Sequence, residues 1–120
     1  MPADFILKSK YKQSWKLKIH DKEEREPPHV TIYGGGGKKW RWALREKRFM
    51  DKRPPHHEVH SEIIEEIKER WVEISYEWNL IHGNNPVKID EEELKEYFES
   101  NSWNVKIKLD EYNKQVTISE

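Results

Sequence analysis

HVTIYGGGGKKWRWAL, residues 29–44, reads as two strands joined by glycines. Before the glycines, Val30 and Ile32 alternate with His29, Thr31 and Tyr33; after them, Trp40, Trp42 and Leu44 alternate with Lys39 and Arg41. A period of two is that of a strand with one face buried and one wet. Glycine accepts positive φ, so Gly34 to Gly37 suits a hairpin. A phosphate-cradling loop would need Lys followed by Ser or Thr and then a helix; Lys38-Lys39-Trp40 continues as strand.

Outward from this hairpin the pattern persists. In SWKLKIH, residues 14–20, Trp15, Leu17 and Ile19 alternate with Lys16, Lys18 and His20, and Asp4 to Lys8 reads as an edge strand. DKEEREPP, residues 21–28, ends in two prolines that donate no ladder bonds and so connects strands. Arg45 to Pro55 prolongs the last strand and then breaks. A long helix is predicted from about His57 to His82, with Val59, Ile63, Ile67, Ile74 and Ile81 on one stripe and Glu62, Glu65, Glu66, Glu69 and Glu73 on a solvated side. Trp71 and Trp78 beside the stripe read as core packing, and Gly83 is a C-terminal stop. Asp90 and Glu93 resemble a capping box opening a helix over Glu91–Glu99. Trp103, Val105, Ile107 and Leu109 alternate as another strand, with a hairpin returning through Gln115–Ser119. The expected fold is α+β: an antiparallel meander sheet covered on one face by a long helix, with a C-terminal helix and β-hairpin extension. Residues 1–120 form a single domain, in which 5–83 are sheet plus long helix and 84–120 the extension.

Composition narrows the function. Charged residues make up 38% of the 120 and the apolar set 34%, so the core is expected to lean on six Trp, five Tyr and three Phe. Without cysteine there is neither a disulfide nor a thiolate ligand or nucleophile. No long apolar run or leader is visible, and a soluble, cytoplasmic protein without membrane association is expected. Net charge is −1, but residues 1–57 hold 15 Lys and Arg against 7 Asp and Glu, whereas 58–120 hold the remaining 7 and 16. Such a split suits either a basic face for a polyanion or two halves that attract each other.

Pro27-Pro28-His29-Val30-Thr31-Ile32 resembles the signature of a small uncharacterised bacterial family, Pro-Pro-His-Val/Phe-His at a strand start followed by a helix with spaced Trp and His. The resemblance spans roughly residues 5–83. Pro27, Pro28 and His29 match directly, Trp78 and His82 fall where the helix signature lies, and Thr31 replaces the second family histidine. It implies an accessory protein of a toxin–antitoxin-like gene pair.

Three chemistries follow from the residues. If the strands form a meander, His20, His29 and the loop carrying His56, His57 and His60 meet at one end, while His82 lies far off at the helix C-terminus. His29 and His57 would then act as general base and acid on a phosphodiester, with Arg41 or Lys18 stabilising the charge that develops. Alternatively, His56 or His57 with His60 has helical spacing for one metal ion, completed by His29 or His20 and by Glu58 or Asp21. Thirdly, Lys16, Lys18, Tyr33, Lys39, Arg41 and Arg45 would bind RNA by phosphate neutralisation and stacking. A partner protein or a homodimer pairing acidic helices with the basic sheet is the non-catalytic alternative. No cofactor is expected, and the sequence leaves open whether the protein is an enzyme.

Overall fold

A computed structural model describes residues 3–5, 15–21, 26–34, 37–50 and 61–116. Five strands form one antiparallel sheet in chain order: β1 (Ala3–Phe5), β2 (Lys16–Ile19), β3 (His29–Tyr33), β4 (Lys39–Ala43) and β5 (Arg48–Phe49). The hairpin predicted around the glycines is β3–β4, closed by the Gly34 amide donating to the Lys38 carbonyl at 2.9 Å. A Cβ on Gly34 would sit 2.6 Å from the Trp15 ring, so the bare backbone lets the indole pack against the turn. Four helices follow: α1 (Ser61–Glu69), α2 (Trp71–Ile81), α3 (Glu91–Ser100) and α4 (Val105–Gln115).

Alternation has its expected consequence on the inner side. Leu17, Ile19, Val30, Ile32 and Trp42 from the sheet join Ile63, Ile67, Ile74 and Trp78 from the helices in one buried cluster. Full burial of each aliphatic chain stabilises the fold by about 1.5–3 kcal/mol. A second cluster, Tyr76, Ile89, Leu94, Phe98, Tyr112 and Val116, lies between α2, α3 and α4. Helix α2 serves both, because at roughly 100° per residue Tyr76 points away from Ile74 and Trp78. It is therefore a middle layer, and even its polar Ser75 and Asn79 are wholly buried. Asn79 binds the Val87 backbone through both amide atoms, Nδ2 to the carbonyl at 2.8 Å and Oδ1 from the N–H at 2.7 Å, and Nδ2 also reaches the Tyr112 hydroxyl at 2.7 Å.

Three expectations need correcting. The single long helix is two, divided at Arg70, whose φ of −96° and ψ of 17° leave helical geometry. Its guanidinium binds Glu66 at 2.9 Å and Glu73 at 2.7 Å, with the Phe5 ring 5.8 Å away. Glu66, assigned to a solvated side, is thus buried; the ion pair supplies what water would have. Finally, Val105–Gln115, expected as strand and hairpin turn, is α4, and Thr117, Ile118 and Ser119 of the expected return strand lie outside the described residues. Asn104 caps α4 by accepting from the Ile107 N–H at 3.2 Å, and Gly83 lets it close in, since a Cβ there would lie 2.5 Å from the Gln115 carbonyl. No helix among the described residues is long and apolar enough to cross a membrane.

Candidate nucleic-acid interface

Strand register arranges the outer face of the sheet in cross-strand rows. Lys16, Tyr33 and Lys39 are directly opposed in one row; Asp4, Lys18, Thr31 and Arg41 make the next. Residues opposed in this way share a face, with Cβ atoms about 4.5–5.5 Å apart between neighbouring strands. The register therefore brings Lys16, Lys18, Tyr33, Lys39 and Arg41 together.

The two rows differ electrostatically. Lys18 lies 3.9 Å from Asp4, and Arg41 lies 3.8 Å from Glu26, so both cations have a carboxylate nearby. Lys16 and Lys39 are exposed and, among the described residues, have no ion-pair partner. The Lys39 ammonium sits 5.9 Å from the Tyr33 ring centre. Tyr33 itself is held by a 2.6 Å hydrogen bond between its hydroxyl and His20 Nε2, the two rings meeting edge to face. The phenol hydroxyl can donate to a bare Nε2 or accept from an Nε2–H, so the bond forms with either tautomer of the ring. Between Lys18 and Arg41, Thr31 is buried with its hydroxyl oxygen lacking any hydrogen-bond partner among the described residues.

The Pro-Pro-His segment sits at the other end of this face, and its bonding explains its composition. Three successive carbonyls, each preceding or belonging to a proline, are taken up by fixed donors. Glu26 O accepts from Asn85 Nδ2 at 2.8 Å, Pro27 O from His29 Nδ1 at 2.8 Å, and Pro28 O from the Leu44 N–H at 2.9 Å. The His29 side chain has 0% exposure, with Nε2 3.7 Å from the Glu26 carboxylate and its ring centre 5.6 Å from that of Trp78. Alternation assigns His29 to the wet face, yet the imidazole is buried with the Trp78 indole beside it.

His82, expected to be remote, belongs to the same end. Its Nε2 donates to the His20 carbonyl at 2.7 Å and its ring lies 4.0 Å from Trp78. His20, His29 and His82 thus converge, two of them buried and each hydrogen-bonded. His56, His57, His60 and Glu58 lie outside the described residues. Among the described residues no group of three or more His, Asp or Glu side chains could hold a metal ion.

Arg45 does not join the basic face. The strand ends at Ala43, the following turn redirects the chain, and Arg45 Nη2 donates to Asn85 Oδ1 at 3.0 Å and Pro86 O at 2.8 Å. The His20–Tyr33 pair escapes sequence reasoning because its members are 13 residues apart and two rows removed, whereas along its own row Tyr33 faces Lys16 and Lys39.

Comparison of the chain with known protein families, with curated proteins and with solved structures returns no match in any of the three.

Proposed function

We propose that the protein binds single-stranded RNA on the outer face of its sheet, in the accessory role within a cytoplasmic toxin–antitoxin-like pair that the Pro-Pro-His resemblance implies, and that it acts by binding rather than by cleavage. The observation that carries this reading is the row Lys16–Tyr33–Lys39, an aromatic ring flanked on both neighbouring strands by exposed lysines without ion-pair partners among the described residues. A base laid on the Tyr33 ring brings its flanking phosphates over those two ammonium groups. Stacking of this kind contributes about 1–3 kcal/mol per base and tolerates any sequence, since every base has a π face. The His20 bond fixes the phenol along the sheet, so less side-chain entropy is lost when a base arrives. Lys18 and Arg41 add weaker attraction, because Asp4 and Glu26 already offset part of their charge.

The sealed environment of His29 is the reason for preferring binding to catalysis. A general base must come within about 3 Å of the proton it takes, directly or through one water. An imidazole with a side-chain exposure of 0% and Nδ1 engaged by a backbone carbonyl offers substrate neither nitrogen.

Fluorescence anisotropy with a labelled single-stranded RNA oligonucleotide tests the reading. Tyr33→Ala should weaken binding by about tenfold or more, whereas Tyr33→Phe, which keeps the ring and loses the hydroxyl, should stay within about threefold of wild type. The RNA should remain intact throughout. Equal affinity of the Ala variant and wild type would end the proposal.

A further inference from the structure

A second basic locus lies away from the sheet face. The β4–β5 turn, the first residue of α2 and the segment after Gly83 enclose a cleft of about 450 Å³, within the range of small-molecule sites. Arg45, Trp71, Asn84, Asn85 and Lys88 line it, and among the described residues no carboxylate does. In a chain with 23 Asp and Glu, that exclusion sets the cleft apart.

Among the described residues, neither of its cations is paired with a carboxylate. Both hydrogen bonds of Arg45 leave from Nη2, to Asn85 Oδ1 and to the Pro86 carbonyl, so the guanidinium plane is fixed while Nε and Nη1 have no partner among the described residues. An arginine oriented by neutral acceptors keeps its full charge, and with both Nη2 hydrogens used its Nη1 group is left to donate to an anion. Lys88 is exposed and, among the described residues, has no ion pair. Lys47, in the left-handed region at φ 57°, carries its ammonium 4.5 Å from the Trp71 ring centre. The indole beneath is immobilised through Nε1, which donates to the Leu44 carbonyl at 2.7 Å. With its Nε1 edge anchored and its ring half-buried, Trp71 offers the cleft a fixed aromatic wall.

Two cations with unsatisfied donors and an aromatic face in one cavity specify a ligand with an anionic group joined to a planar ring. We infer that this cleft binds a nucleoside monophosphate moiety, its phosphate on Arg45 and Lys88 and its base against Trp71. Free nucleotide and the phosphorylated terminus of a strand present the same chemistry. The inference is independent of the sheet-face reading, since the two sites share no residue.

Isothermal titration of the full chain with adenosine monophosphate, adenosine and inorganic phosphate tests it. Saturable one-to-one binding of the nucleotide is expected, with dissociation constants at or below about 1 mM, and adenosine and phosphate each about tenfold weaker or worse. Arg45→Gln and Lys88→Gln should each weaken nucleotide binding by about tenfold, because each removes a charged hydrogen bond. Lys106→Gln, exposed on α4 and outside both sites, should leave it unchanged. Both cleft residues are exposed, so the variants are expected to fold, as circular dichroism will verify. A terminally phosphorylated oligonucleotide that binds better than its hydroxyl-ended counterpart assigns the cleft to strand ends; indifference to the terminal phosphate with retained nucleotide binding assigns it to free nucleotide, and either supports the site. Absence of saturable nucleotide binding, phosphate binding as tight as the nucleotide, or indifference to both cleft substitutions would overturn it.

Discussion

Replacing His29 by alanine removes a side chain that the fold uses for its own closure. The imidazole is wholly shielded, its Nδ1–H satisfies the Pro27 carbonyl at 2.8 Å, and its ring packs beside Trp78. Truncation leaves a cavity next to an indole and a carbonyl without its donor. The first costs a large part of a core truncation and the second about 1 kcal/mol or more, so a loss of about 2–4 kcal/mol is expected. For a domain of this size that corresponds to a fall in Tm of about 8–15 °C, measurable by thermal or urea denaturation followed by circular dichroism. His29→Asn places an amide N–H near the former Nδ1 position and should recover part of the loss. RNA affinity measured well below the melting range should change little, because the ring does not reach the outer surface. The reasoning is refuted if His29→Ala melts within about 2 °C of wild type. If that stable variant also lost an RNA-directed activity, His29 would instead be a residue that touches substrate.

Other outcomes follow from single contacts. Asn79→Ala strands the Val87 N–H and carbonyl inside the protein and should lower stability by about 3–5 kcal/mol in urea unfolding, the largest effect of any substitution considered. Ser102→Gly should raise stability by about 1 kcal/mol: Ser102 sits at φ 60° in the turn closing α3, where Ser102 N–H donates to Glu99 and Trp103 N–H to Phe98, and glycine takes that conformation without cost from a Cβ. Tyr76, Tyr97 and Tyr112 are all held above the ordinary phenol range, by burial first and, for Tyr76 and Tyr97, then by nearby carboxylates. A raised folded-state value means that their contribution is fully present below the unfolded value near 10 and is lost as pH climbs through the folded one. Denaturation midpoints should therefore fall steeply in strong alkali, and single Tyr→Phe variants should flatten that fall.

Legibility in the sequence followed the physics of each segment. Strands β2, β3 and β4 were readable because each has one buried and one exposed side, which a period of two records directly. Helix α4 was not, because Trp103, Val105, Ile107 and Leu109 also alternate. The same residues carry a helical spacing through Val105, Leu109, Tyr112 and Val116, behind the capping Asn104. Ile107 discriminates between the two: a buried strand needs it inside, while on the helix it is 55% exposed. The basic outer face was legible for Lys16, Lys18, Tyr33, Lys39 and Arg41, whose parity survives regular pairing, and failed for Arg45, which lies past the end of its strand. Burial of His29 was not legible, since Trp78, which covers it, lies 49 positions away. A separation of 62 positions likewise hid the approach of His82 to His20.

Sheet-face recognition of RNA is tested most directly by the salt dependence of affinity, compared between wild type and a variant carrying Lys16→Gln with Lys39→Gln. Each single-strand phosphate contact contributes a slope of about −0.7 in log affinity against log salt. Four cations on the face give a wild-type slope of roughly −3, which loss of two should reduce to about −1.5. Identical slopes for the two proteins, or a wild-type affinity indifferent to salt, would contradict the account.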